Sequence, residues 1–235
     1  MTDKNRMNAI DWVRIEETLN SYGCARIDRL LSDDECNALV SMYAQDERYR
    51  SRVVMSRHGF GSGEYKYFNY PLPDVVADLR AAAYRYLAPI ANRWNNAMGL
   101  ETRYPATHDA YIETCHAAGQ RRPTPLLLEY GAGDFNCLHQ DLYGEQAFPL
   151  QVAILLSEPQ RDFTGGEFVL TEQRPRMQSR VEVVPLHRGD AVIFAVNSRP
   201  VNGKRGVYRV NLRHGVSRLR SGKRHTLGII LHDAI

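Results

Sequence analysis

From Pro125 onward the chain breaks into short β-rich runs separated by turn residues, and this texture limits the fold more than any other feature. The runs are Leu126–Tyr130, Gln151–Leu156, Glu167–Thr171, Val181–Val184, Ala191–Val196, Val207–Leu212 and Thr226–Leu231. Strands this short at such spacing predict a sandwich, jelly roll or barrel. The half before Pro125 reads as mostly helical. Ser32 and Glu35 form a capping box, in which each side chain satisfies a backbone N–H of the first turn. Cys36, Leu39, Val40 and Tyr43 then follow on one helical face. Asp74 opens a longer pattern with Val75, Leu79, Ala82, Tyr86, Ile90 and Trp94 near one stripe. Pro89 should kink that helix, and Gly99 should end it. A short helix is expected around 107–118, and Cys24–Ile27 reads as a strand. Residues 1–8 are polar and read as frayed. The expected fold class is α+β: a double-stranded β-helix (jelly roll) core with N-terminal buttressing helices. No Pro/Gly/Ser-rich linker divides the halves, so one domain is expected over 1–235. Residues 1–124 would give helical support and substrate loops, and 125–235 the β-helix core.

Composition narrows the class. With 43% hydrophobic and 24% charged residues in 235, the chain is neither a disordered tail, a collagen nor a coiled coil. Its longest apolar runs, Leu150–Leu156 and Ala191–Val196, fall far short of the ~18 residues of a membrane helix. The first residues carry charges with no apolar segment behind them. The expectation is therefore a cytoplasmic protein with no membrane partner. Cys24, Cys36, Cys115 and Cys137 show no metal-binding spacing and read as reduced and structural, although Cys137 stands near His139. Net charge is +3, and all but four of the 30 basic residues are Arg. Arg suits bidentate contacts to carboxylate or phosphate, although codon bias yields the same excess.

The segment with chemistry is Tyr130–Asp141, which carries His139-x-Asp141. On a strand, residues i and i+2 share a face, so an imidazole and a carboxylate aim at one point. These are two-thirds of the two-His-one-carboxylate triad that holds non-haem Fe(II) with open positions. Alone the pair is weak, because His and Asp meet often by chance. His214 lies 75 residues later, after a run of strands, and Arg224 lies ten beyond that. Thr164-Gly165-Gly166-Glu167-Phe168 and Pro185-Leu186-His187-Arg188-Gly189-Asp190-Ala191-Val192-Ile193-Phe194 stand between them. In these five motifs the chain resembles the Fe(II)/2-oxoglutarate-dependent dioxygenases, specifically their prolyl-4-hydroxylase-like branch, over residues 125–232.

The resemblance implies a metal set of His139, Asp141 and His214, which are also the catalytic centre. It implies Fe(II), 2-oxoglutarate and O2 as cofactor and co-substrates, with ascorbate as a reductant. Arg224 would grip the far carboxylate of 2-oxoglutarate through a bidentate fork. Thr226, at i+2 on the same face, could add its hydroxyl, and Tyr130 matches a family position whose phenol reaches the co-substrate. The implied reaction hydroxylates a C–H bond and releases succinate and CO2. An N-methyl group so hydroxylated falls apart to formaldehyde. His58, His108, His116, His187, His225 and His232 fit no ligand position and read as structural or exposed. A cupin-type zinc or manganese site is the nearest non-oxygenase reading, but cupin chemistry has no use for Arg224.

Fold and metal site do not name the substrate. The branch points to a protein side chain. Other features point to modified or damaged nucleic acid: Leu138-His139-Gln140-Asp141 is similar to a run in alkylated-base demethylases. Residues 199–224 hold nine basic residues and no acidic one: Arg199, Lys204, Arg205, Arg209, Arg213, Arg218, Arg220, Lys223 and Arg224. Such a stripe beside the iron would suit a phosphate backbone. Tyr65 and Tyr67, after the Gly61–Gly63 turn, could stack a base or clamp a peptide. With Arg218 and Arg220 they are the candidate substrate residues. A non-catalytic nucleic-acid-binding module and a small-molecule hydroxylase are the rival functions.

Overall fold

The computed structural model describes residues 3–141, 144–204 and 206–235. In chain order come α1 (Asp3–Asn8), α2 (Trp12–Tyr22), β1 (Cys24–Ile27), α3 (Asp33–Met42), β2 (Tyr49–Val54), β3 (Gly61–Ser62), β4 (Glu64–Phe68), α4 (Asp74–Ala97) and α5 (His108–Ala117). The β-rich part follows: β5 (Leu126–Tyr130), β6 (Phe135–His139), β7 (Leu150–Leu155), β8 (Phe163–Gly165), β9 (Phe168–Gln173), β10 (Arg180–Val184) and β11 (Ala191–Ala195). Last are β12 (Ser198–Gly203), β13 (Gly206–Val216), β14 (Leu219–Gly222) and β15 (Arg224–Ile229).

Two antiparallel sheets form the jelly roll. The seven-stranded one runs β1-β11-β7-β15-β5-β4-β2, and the six-stranded one runs β10-β9-β13-β6-β3 with β12 paired to β13. Strands β8 and β14 pair separately. The helices cover the outer face of the larger sheet. Met7, Leu79 and Ala83 meet Val152, Ile154, Ile193 and Ile229 there, each buried aliphatic being worth roughly 1.5–3 kcal/mol. On α4 the buried Val76, Leu79, Ala83, Leu87, Ile90 and Trp94 recur at helical spacing. Of the expected stripe, Leu79, Ile90 and Trp94 are buried, whereas Val75, Ala82 and Tyr86 are half-buried because the inward face is turned by about one residue.

Local expectations held in most places. Ser32 and Glu35 form the capping box of α3, and α5 starts one residue into its expected range. Helix α4 runs without interruption through Pro89. Pro89 is exposed, and the packing of the buried Leu87, Ala88, Ile90 and Ala91 beside it outweighs the lost N–H. The reading of residues 1–8 as frayed is corrected: 3–8 are helical, Met7 is buried, and Arg6 pairs with Glu35. A buried Met and an ion pair together hold a segment whose composition is otherwise polar.

Helix α4 is also tied to the end of the β-core. Arg80 donates to Ile230 O (2.8 Å) and pairs with the buried Asp233 (2.8 Å), which also accepts from Tyr70 and His116. Nearby, His108 is half-buried and His232 is buried. Burial first, then the charge of Arg80, pushes each imidazole down to about 4. The unfolded rings titrate near 6.5, so below that pH the unfolded state binds more protons. Their contribution is whole above pH 6.5 and is lost as pH falls toward 4, by up to about 3 kcal/mol each. Urea unfolding at pH 7.5 and 4.5 should show a clear drop in midpoint; equal midpoints would mean that these rings are solvated.

Candidate metal centre

The site forms where β6 crosses β13. Strand pairing sets His139 opposite His214, with a register shift between His214 and Val216. Gly215 permits that shift: a Cβ there would lie 2.6 Å from Asn136 O. The approach to His139 is pinned by Asp134, which accepts from Gly131 N (2.8 Å) and from Ser62 Oγ (2.5 Å). Between the two ligands Gln140 points the other way, donating to Leu212 O (2.8 Å) and Asn197 Oδ1 (2.9 Å). Strand alternation thus presents His139 and Asp141 together.

The ligand atoms of His139, Asp141 and His214 lie within 4.8 Å of one another. His139 Nδ1 bonds Cys137 O at 2.8 Å, which leaves Nε2 facing Asp141 Oδ1 at 3.4 Å. His214 Nε2 faces Asp141 Oδ2, also at 3.4 Å. Phe194 packs on the His214 ring, with centroids 4.5 Å apart. Burial pushes the Asp141 carboxyl up, but the hydrogen bonds and charges of the two imidazoles outweigh it and hold the group well below the usual carboxylate range. Burial keeps His214 below its ordinary value. An ionised carboxylate and a neutral imidazole are the forms a metal needs. Two nitrogens and a carboxylate oxygen suit a borderline divalent ion such as Fe(II), so the donor set fits.

The same cavity, about 320 Å³, is lined by Tyr130, Arg224 and Thr226. Tyr130 stands opposite Arg224 across the β5–β15 ladder. Arg224 donates to Thr226 Oγ1 at 2.6 Å, and no carboxylate pairs with it among the described residues. Its Nε and the Tyr130 hydroxyl are buried without partners. Burial pushes the guanidinium down to about 10, so it stays charged at neutral pH. The Thr164–Phe168 turn packs onto it: at Gly166, where φ is +66°, a Cβ would come within 3.1 Å of Arg224 Cδ.

Tyr65 and Tyr67 line this cavity too, ring to ring at 5.3 Å. Arg218 and Arg220 do not; they flank the buried Leu219 and turn outward. The reading of 199–224 as one basic stripe beside the iron is corrected. Arg199 is buried against Glu172 (2.5 Å) and Arg224 is internal. Arg209 and Arg213 lie on the face of β13 opposite to His214, because they differ from it in parity. Arg205 lies outside the described residues. Cys24, Cys36 and Cys115 are free and buried as expected, whereas Cys137 is exposed and lines the cavity. Sequence reasoning missed Gln151, an amide on an apolar strand that also lines it. A lone polar residue inside Leu150–Leu156 was the available signal.

A family model described as "Oxygenase, catalysing oxidative methylation of damaged DNA" matches residues 63–234. The chain belongs to this Oxygenase-NA family. Uncharacterised proteins from two strains of Mycobacterium tuberculosis, CDC 1551 / Oshkosh and H37Rv, are each 50% identical over 189 residues, covering 80% of this chain and 78% of theirs. In fold, this Oxygenase-NA member is similar to a prolyl-4-hydroxylase of Pseudomonas putida (TM-score 0.54, 15% identity, 95% of this chain and 99% of that one). A 2OG-Fe(II) oxygenase family oxidoreductase of Burkholderia pseudomallei is similar as well (0.56, 16%, 97% and 94%). So is a prolyl hydroxylase of Trichoplax adhaerens, solved with a hypoxia inducible factor peptide (0.51, 15%, 96% and 88%). The jelly roll with N-terminal helices is the fold of these 2OG-Fe(II) oxygenases, and membership of the Oxygenase-NA family makes the protein an oxidoreductase.

Proposed function

We propose that the protein oxidises alkylated bases in damaged DNA, using Fe(II), 2-oxoglutarate and O2. The observation that carries this reading is the buried, unpaired Arg224 sharing one cavity with a ready metal donor set. A cation buried without a counter-ion is costly, and a dicarboxylate co-substrate supplies what is missing. His139 Nε2, Asp141 and His214 Nε2 would hold the metal. Arg224, steadied by Thr226, would take the far carboxylate of 2-oxoglutarate, with the Tyr130 hydroxyl beside it. When bound, the iron with 2-oxoglutarate and O2 supplies hydroxylation of a C–H bond, with succinate and CO2 as co-products. The surrounding Phe194, Leu128 and Phe168 exclude water from that chemistry. The family's description supports DNA over protein as substrate. On an N-methyl base the hydroxylated carbon leaves as formaldehyde, so the outcome here is removal of the methyl group.

The test is product analysis after incubation with Fe(II), ascorbate and 2-oxoglutarate. Oligonucleotides carrying N-methylated bases should lose the methyl group, with formaldehyde and succinate in equal amounts. A gain of one oxygen on a peptide, with alkylated DNA untouched, would move the substrate to protein. Failure to bind 2-oxoglutarate at all would end the oxygenase reading.

A further inference from the structure

Four residues lining the metal cavity carry a buried side-chain polar atom with no partner: Tyr130, His214, Arg224 and Gln151. The first three belong to the metal and co-substrate groups above. Gln151 belongs to neither. It is only 5% exposed, and its Nε2 has no hydrogen-bond partner among the described residues. A buried amide left idle in a native fold calls for an explanation.

Its position excludes the co-substrate end. On β7, Leu155, Ala153 and Gln151 share one face. Leu155 stands opposite Thr226, Ala153 opposite Gly228, and Gln151 opposite Phe194. Gln151 therefore lies at the far end of the cavity from Arg224. It sits beside the Phe194 ring that packs on His214. Leu126, Tyr67 and Ile230 complete an apolar wall around this end.

We propose that Gln151 is a specificity-determining residue that selects alkylated adenine. The inference rests on the DNA-oxidising reading above. A base reaches such a cavity only by leaving the stack, after which its edge is read by hydrogen bonds and its faces by apolar walls. A carboxamide offers one acceptor and one donor side by side. Adenine matches both, giving an N6 hydrogen to Oε1 and taking the Nε2 hydrogen at N7. Guanine and thymine offer only acceptors on that edge, and cytosine only a donor, so each satisfies half of the amide. Alkylation at N1 of adenine leaves the N6–N7 edge intact.

The test measures binding and turnover of oligonucleotides with a single 1-methyladenine, 3-methylcytosine, 1-methylguanine or 3-methylthymine. The wild type should prefer 1-methyladenine by about tenfold or more. Gln151→Met, which keeps the length but neither hydrogen bond, should bring the four within a few-fold of one another. Its thermal midpoint should not fall, because an idle buried amide is removed. A wild-type comparison with 1-methyl-7-deazaadenine, which lacks the N7 acceptor, reads the same contact without any variant and should show the same loss. Equal use of the four bases by the wild type, or a preference unchanged in Gln151→Met, overturns the assignment while leaving the DNA reading standing. A weakened affinity for 2-oxoglutarate in Gln151→Met would place the amide on the co-substrate and overturn it too. No binding or turnover of any alkylated oligonucleotide sinks the DNA reading itself, and this proposal with it.

Discussion

Replacing His139 or Asp141 by Ala should abolish iron-dependent succinate release while leaving a folded protein. Each side chain supplies one of the three donor atoms that meet within 4.8 Å. Loss of a group that merely orients a metal ligand costs about 10–100-fold in metal affinity, and loss of the ligand itself should exceed that. The fold should tolerate the change, because His139 is half-buried and its ring makes one backbone hydrogen bond, to Cys137 O. Asp141→Ala leaves two imidazoles with no anion between them, so metal binding should fail even where the rings stay in place. Calorimetric titration with Fe(II) under nitrogen, beside a thermal melt, separates the two effects. A variant that melts like the wild type and still binds the ion tightly would show that the three residues do not hold it.

Arg224→Ala should have the second largest effect, on 2-oxoglutarate affinity. Truncating one partner of a buried charged pair costs roughly 2–5 kcal/mol, so the dissociation constant should rise by about 30-fold to several thousand-fold. Without ligand the same change removes an unpaired buried cation, and the thermal midpoint should hold or rise. Arg224→Lys keeps the charge but loses the planar fork and should fall between. Isothermal titration with 2-oxoglutarate and a melt of the free protein test both halves. Normal binding with a collapsed melting point would make Arg224 a structural residue.

Much of this site was legible in the chain before any coordinates. His139 and Asp141 are adjacent by strand parity, and that part needs no tertiary knowledge. His214, Arg224, Thr226 and Tyr130 came from motif order, and the ladders β6–β13 and β5–β15 realise it. What escaped was whatever depends on which face of a strand looks inward. Arg209 and Arg213 have the same composition signal as Arg224, yet they point away from the cavity. Arg199 was counted in the basic stripe, but its guanidinium meets Glu172 from a strand distant in sequence. Gln151 was hidden by its neighbours, since a run dominated by Leu, Ile and Val reads as packing alone. Strands β2 and β3 were blurred, because Tyr49–Val54 carries no strict alternation and Gly61–Ser62 is only two residues long; β4 and β6 offer them edges.

His139 and His214 confront each other across a single rung. Side chains alternate along a strand, so a slip of one residue in either would send one imidazole to the outside. Correct threading of the barrel and capacity for iron are thus a single property, and tight uptake of the ion certifies that the two halves of the chain have zipped in phase.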